Sequence, residues 1–312
     1  MGPSAVRITA ETFVTPPEFD GLNLAQRSAG QIGGVRLELL PSNVNGRVNA
    51  RLGNCYQQVP LRVLPPFHLE NEPAGLLYLL NPTAGLMDGD GHWLEISTAS
   101  GAKAVVTGQS ATRIHPCPRN FSTQQWKIRV ASRSQLVVLP GPTIPFQGAR
   151  SYQLVEIELE DDDSRLIWAE IWHPGRYDRG ALSERFQFRS LIQETKVTRG
   201  AKLVYRDRFH WEGPWDAATV KWHLGTHLAC GSLFVTGPVD EQRVSGTPPV
   251  ETAVMPLASG DTCIRYLGSP AAVTQAVVKA ALSLAARWSA NANGTPWLLS
   301  SEGLAKNHWF ST

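Results

Sequence analysis

Tyr152-Gln-Leu-Val-Glu-Ile-Glu-Leu-Glu-Asp-Asp-Asp-Ser-Arg-Leu-Ile-Trp168 is the stretch whose reading decides the fold. Its first half alternates apolar and polar residues, the period-two pattern of a strand with one packed face and one wet face. A polar turn follows, then a denser apolar run. The same unit recurs in both directions. Alternating strands read at Val35-Arg-Leu-Glu-Leu39, Trp93-Leu-Glu-Ile-Ser97, Trp126-Lys-Ile-Arg-Val130 and Phe186-Gln-Phe-Arg189. The denser second strands begin Gly101-Ala-Lys-Ala-Val-Val, Arg133-Ser-Gln-Leu-Val-Val, Asp163-Ser-Arg-Leu-Ile-Trp and Gly200-Ala-Lys-Leu-Val-Tyr, spaced by about 30 to 37 residues. A two-strand unit cannot bury its apolar face alone, so neighbouring units stack. The pattern predicts a mainly β fold, either one elongated β-helix-like domain or a layered β-sandwich of repeated strand pairs.

Helix signals are few and predict about two α-helices in the C-terminal third. Ser269-Pro270 is an N-cap and first-turn pair. Val273, Val277, Ala280, Ala281, Leu284 and Trp288 then share one face, and Asn291-Ala-Asn-Gly294 supplies a stop. Asp216 caps a shorter candidate over Trp215–Trp222. Residues 1–30, with Pro16-Pro17 and no clear period, read as an N-terminal arm with at most one short strand. Residues 31–290 read as the β domain with its C-terminal helix, and 291–312 as a tail with Trp297, Trp309 and Phe310. The segment Leu139-Pro-Gly-Pro-Thr-Ile-Pro-Phe146 reads as a strand-to-strand corner.

Composition excludes several classes. Of 312 residues, 42% are hydrophobic and 18% charged, below the usual charged share of about 25%. The net charge is +2 and no basic run stands out, which argues against a nucleic-acid partner. Cys55, Cys117, Cys230 and Cys263 are scattered, so they form neither a zinc framework nor a disulfide scaffold and suit a reducing compartment. The N-terminus, with Arg7 and Glu11, has no signal-peptide core. Ala271–Trp288 carries Gln275, Lys279 and Arg287 and is too short and polar to cross a bilayer. The expectation is a cytoplasmic protein with no membrane contact. The ten Trp residues either fill a large β core or serve an interface.

Five features could bear chemistry. Asp88-Gly89-Asp90-Gly91 could hold a hard cation, or its aspartates could support a turn. An EF-hand fails, because its twelfth position would be Ala99 instead of Glu. His223 and His227, with Cys230 nearby, could form part of a metal site, but Gly225 lies between the two imidazoles. Glu156, Glu158 and Glu160, followed by Asp161–Asp163, read as a solvated edge that resists strand pairing. Glu170 sits in Ile167-Trp-Ala-Glu-Ile-Trp172, where an unpaired buried carboxylate is expensive. It either pairs with Arg176 or Arg179 or faces an internal water path. Trp172-His-Pro-Gly-Arg176 is a turn that presents Arg176 to a partner, or is a plain surface corner. No nucleophile elbow, phosphate loop, zincin helix or dinucleotide fingerprint is present. No residue is assigned as catalytic or cofactor-binding, and the expectation is a protein that is not an enzyme.

Six segments occur in a recognisable order: Leu61-Arg-Val-Leu-Pro-Pro-Phe67, Asn81-Pro-Thr-Ala-Gly-Leu-Met-Asp-Gly-Asp90, Thr107–His115, Pro142–Ala149, Trp168–Arg176 and Glu184-Arg-Phe186. Together they resemble the UreD (UreH) family of urease accessory proteins, over Leu61 to about Gly213. Ala84, Met87-Asp88, Cys117 and the C-terminal ending depart from that pattern and mark a divergent branch. The resemblance implies a mostly β, non-enzymatic chaperone of metallocentre assembly. It implies binding to apo-urease and to UreF, with the GTPase UreG recruited through UreF, and help in nickel insertion into the urease active site. It also implies a water-filled path for transient Ni2+, with no tightly bound cofactor. By position, Asp90 and Glu170 are then the candidate acids along that path, and Asp88 is a further one. Sparse carboxylates suit an ion that must leave better than a cage of imidazoles and thiolates. The rival reading is a β-solenoid or sandwich module that binds carbohydrate or protein on exposed Trp residues. A third reading is a hydrolase with Asp88 and Asp90 as its acid pair.

Overall fold

The computed structural model describes residues 6–24, 31–44, 47–67, 74–178, 184–245 and 249–288. In chain order the strands are β1 (Ile32–Val44), β2 (Arg47–Gln58), β3 (Arg62–Val63), β4 (Gly75–Leu80), β5 (Gly91–Thr98), β6 (Lys103–Gly108), β7 (Thr112–Ile114), β8 (Ser122–Val130) and β9 (Gln135–Leu139). They continue with β10 (Pro142–Pro145), β11 (Arg150–Leu159), β12 (Arg165–Trp172), β13 (Ser190–Arg199) and β14 (Lys202–Glu212). Helix α1 (Ala217–Leu224), β15 (Ala229–Val235), β16 (Glu251–Pro256), β17 (Thr262–Gly268) and α2 (Pro270–Arg287) complete the order.

Two mixed sheets result. The first runs β14-β13-β11-β8-β5-β1-β2; the second runs β16-β17-β15-β12-β9-β6-β4-β3, with β10 and β7 attached beside β12. From β5 to β13 the chain crosses from one sheet to the other along its main path. Hence β5, β8, β11 and β13 are parallel neighbours in one sheet, and β4, β6, β9 and β12 in the other. Parallel neighbours need a crossover, and here the crossover is a strand of the opposite sheet. This is the repeated strand-pair stack that the sequence predicts, flanked by antiparallel hairpins.

Three corners of the stack are equivalent. Ala102 N donates to Ala99 O, Ser134 N to Ala131 O, and Ser164 N to Asp161 O. They stack through Gln135 N to Ala102 O and Arg165 N to Ser134 O. Buried hydroxyls complete the column, with Thr98 Oγ1 2.8 Å from Ser134 Oγ and accepting Ala131 N at 2.9 Å.

The fourth expected copy departs from the pattern. Gly200-Ala-Lys-Leu-Val-Tyr does not cross over; Arg199 faces Lys202 across a two-residue loop, and β14 returns antiparallel beside β13. Gly200 at φ +55 supplies the left-handed position that so short a hairpin requires. Phe186-Gln-Phe-Arg is not a strand either. Phe186 has φ +56, its N–H donates to Pro174 O, and its ring stacks on Trp215. The proline-rich corner forms β10, which pairs with β7 and β12. Glu156 and Glu158 do not lie on an edge, because β11 is central. On that face Arg36, Glu95, Arg129 and Glu158 form an alternating ion-pair ladder.

The core between the sheets includes Val35, Leu37, Leu94, Ile96, Trp126, Ile128, Leu136 and Trp168. Helix α2 covers the outer face of the second sheet, with Val273, Val277, Ala280, Ala281 and Leu284 buried as the sequence predicts. Ser269 Oγ accepts Ala272 N at its start. Gly231 on β15 permits this approach, since a Cβ there would lie 2.8 Å from Val277 Cγ2. The described part of the N-terminal arm forms two short 3₁₀ turns, Ala10–Thr12 and Pro17–Phe19. Ile8, Phe13, Phe19 and Leu24 pack on Tyr152, Leu154 and Ile192 of the first sheet. Gln58 and Gln125 hold the backbones of Ile8 and Val14. The tail 291–312 and the stop at Asn291–Gly294 lie outside the described residues.

Candidate functional site

The Asn81–Asp90 segment is a built turn. It leaves β4 at Leu80 and feeds β5. Gly85 (φ +133) passes so close to β7 that a Cβ would sit 2.3 Å from Arg113 O. Asp90 is buried; Oδ1 accepts Gln31 N at 2.6 Å and Oδ2 accepts Met87 N at 2.7 Å. Burial pushes its carboxyl above the usual value, against the pull of those two N–H groups. Asp88 accepts Asn120 N at 2.8 Å and Arg119 N at 3.2 Å. Both aspartates therefore hold backbone, as turn aspartates do.

Glu170 lies on the inter-sheet face of β12, in line with Leu166 and Trp168 (period two). Its Oε1 accepts Trp168 Nε1 at 2.7 Å, Gln193 Nε2 at 2.9 Å and the Thr195 hydroxyl. Its Oε2 accepts Ser232 Oγ at 3.4 Å. Burial pushes its carboxyl up, against the Thr195 and Trp168 hydrogen bonds. The expected Arg176 partner is engaged elsewhere: Arg176 pairs with Glu184 and stacks over Phe146 at 4.5 Å. Arg179 lies outside the described residues. The cation whose field reaches Glu170 is Arg265, itself bonded to Asp207 at 2.6 Å.

Glu170 does not stand alone. Gln193 on β13 is in register with Gln153 on β11, Gln153 with Gln124 on β8, and Gln124 with His92 on β5. All four side chains are buried and point between the sheets, as their period-two neighbours Leu94, Trp126, Val155 and Val197 do. At a strand spacing of about 4.8 Å they span roughly 15 Å. Among the described residues, His92 Nδ1 and Nε2, Gln153 Nε2 and Gln193 Oε1 have no hydrogen-bond partner. Under the row, Trp126 and Trp168 meet edge-on at 5.3 Å. Their indole N–H groups turn towards it, one to Gln124 Oε1 and one to Glu170. Gln124 also lines a cavity of about 60 Å³ that opens between Asn81 and Arg113. At its far end the row meets Gly33 of β1, where a Cβ would lie 2.0 Å from Val59 O.

The other candidates separate. His223 stacks on Trp215 at 4.5 Å, while His227 lies beyond the end of α1 and pairs with Glu251 at 3.0 Å. Burial pushes the Cys230 thiol up to about 12. Among the described residues, no three His, Cys, Asp or Glu side chains converge as a metal cage. Trp126, Trp168, Trp172 and Trp215 are buried, and Trp222 on α1 is 85% exposed; Trp297 and Trp309 lie outside the described residues. Trp211, half-buried, stacks on Phe209 at 4.0 Å. No helix among the described residues is long and apolar enough to cross a membrane.

Stacked two-strand rungs with a buried polar row between the sheets define a class, a layered β scaffold. Within that class, a model of the UreD urease accessory protein family matches residues 33–297. Urease accessory protein UreD 2 of Synechococcus sp. (strain JA-3-3Ab) is 38% identical over 206 residues, 62% of this chain and 73% of the relative. Urease accessory protein UreD of Bacillus sp. (strain TB-90) is 26% identical over 79% of this chain and 92% of its own length. That of Deinococcus radiodurans is 31% identical over 63% and 68%. The chain belongs to the UreD urease accessory protein family, which is non-catalytic and takes part in urease maturation.

Proposed function

We propose that this chain is a cytoplasmic scaffold of urease maturation that binds apo-urease and UreF, meets UreG through UreF, and passes Ni2+ through the space between its sheets. The observation that supports it is the polar row ending on Glu170, whose four direct hydrogen-bond donors are all neutral. A cation entering this gap loses hydration, and a carboxylate with no directly bonded cation offsets that loss. Asp90, two residues before His92, is the acid at the other end, and Asp88 lies further out on the same turn. Each carboxylate has lone pairs beyond those its backbone N–H partners take. A path without a cage also suits an ion that must be released. Arg176, fixed by Glu184 and half-exposed, is the proposed partner contact on its turn.

Co-expression with the urease operon proteins tests the scaffold. The chain should co-purify with UreF and with apo-urease, and Arg176→Ala should weaken that capture. Failure to co-purify with either would overturn the proposal.

A further inference from the structure

We propose that His92 is a ligand site for a borderline divalent transition-metal ion, a station on the inter-sheet row that selects such ions over Mg2+. The proposal rests on the path reading above and adds to it the residue that discriminates between metals.

The imidazole is unexplained as packing. His92 is 0% exposed and both ring nitrogens lack any hydrogen-bond partner among the described residues. A neutral imidazole has one donor and one acceptor, and leaving each buried and unmade is costly. The next two inward positions on the same strand are Leu94 and Ile96; a leucine at 92 would leave no polar atom unpaired. Unpaired groups also recur along the register, at Gln153 Nε2 and Gln193 Oε1. Several unpartnered polar atoms on one row are groups that a polar occupant would satisfy.

The chemistry of the row fits a metal ion. Amide and carboxylate oxygens accept Mg2+ and Ca2+ as well as transition metals, whereas imidazole favours nickel, cobalt, zinc and copper. One imidazole among oxygen ligands discriminates without trapping the ion. Of the two candidate carboxylates, Asp90 precedes it by two residues on the chain, and Glu170 stands at the opposite end of the row beside Gln193.

The test is a titration of the 15N-labelled full chain with NiCl2, CoCl2 or MgCl2, reading the His92 ring nitrogens by NMR. Ni2+ and Co2+ should broaden the His92 signals and Mg2+ should not. In co-expression, His92→Leu and His92→Gln should each lower nickel per urease about ten-fold, with the complex still co-purifying and the melting temperature not reduced. Unperturbed ring signals at saturating Ni2+ would overturn the proposal. So would full nickel loading by His92→Gln, which keeps a water-binding group but no imidazole. The path reading fails separately. If Glu170→Ala with Asp90→Ala lowers nickel while the His92 variants do not, the station is wrong and the path stands. If none of these variants lowers nickel, both are wrong.

Discussion

Glu170 titrates against its surroundings. Burial raises its carboxyl above the ordinary value of 4.5, so the folded state holds this proton more tightly than the unfolded chain does. Its favourable contribution is complete below the ordinary carboxylate range and is lost as pH rises through the folded value. Glu170→Gln keeps an acceptor for Trp168 and removes the charge. The variant should therefore melt above the parent at pH 7–8, with the gap closing at acid pH. A pH series of thermal melts checks this; a gap that widens on acidification would contradict it. The sequence marks Glu170 by its bulky apolar neighbours, but not its partners, because Gln193, Thr195 and Ser232 arrive from other strands. The row is also present in the sequence, but not as a row. His92-x-Leu-x-Ile, Gln124-x-Trp-x-Ile, Gln153-x-Val-x-Ile and Gln193-x-Thr-x-Val each place a polar residue two before the inward positions of its strand. Only register aligns them, and periodicity within one strand does not fix register between strands.

Among elements, the strand-pair unit was legible because period-two alternation and stacked corners act locally. The last copy was not, since Gly200 lets a two-residue hairpin replace the crossover while keeping the same residue pattern. Two changes probe what holds the elements together. Gly231→Ala would drive a methyl into Val273 and Val277, and lifting α2 should cost about 1–3 kcal/mol, visible as a lower denaturation midpoint. Thr98→Val removes the acceptor of Ala131 N and one of the two partners of the Ser134 hydroxyl, which keeps its bond to Ala131 O. Leaving the Ala131 N–H unmade should cost about 1–3 kcal/mol. By contrast, the exposed ladder partner Glu158 should tolerate alanine with a loss below about 1 kcal/mol. Equal losses at Thr98 and Glu158 in chemical denaturation would contradict this ranking.

At the scale of the molecule, the two sheets are joined at one end by charge. Arg199 of β13 reaches Asp261, which leads into β17, at 2.7 Å, and Asp261 is 2% exposed. Gly237 N and Ser259 Oγ complete its shell. Arg199→Ala strands this buried carboxylate and should cost about 3 kcal/mol, measured as the loss in unfolding free energy. The inter-sheet space bounded by that join is the proposed passage of nickel towards urease. Its most direct test is the nickel content of urease purified after co-expression with Glu170→Ala and Asp90→Ala combined, once the accessory complex is shown intact. Nickel per active site should fall several-fold with the complex preserved. Full nickel content and unchanged urease activity in that variant would contradict it.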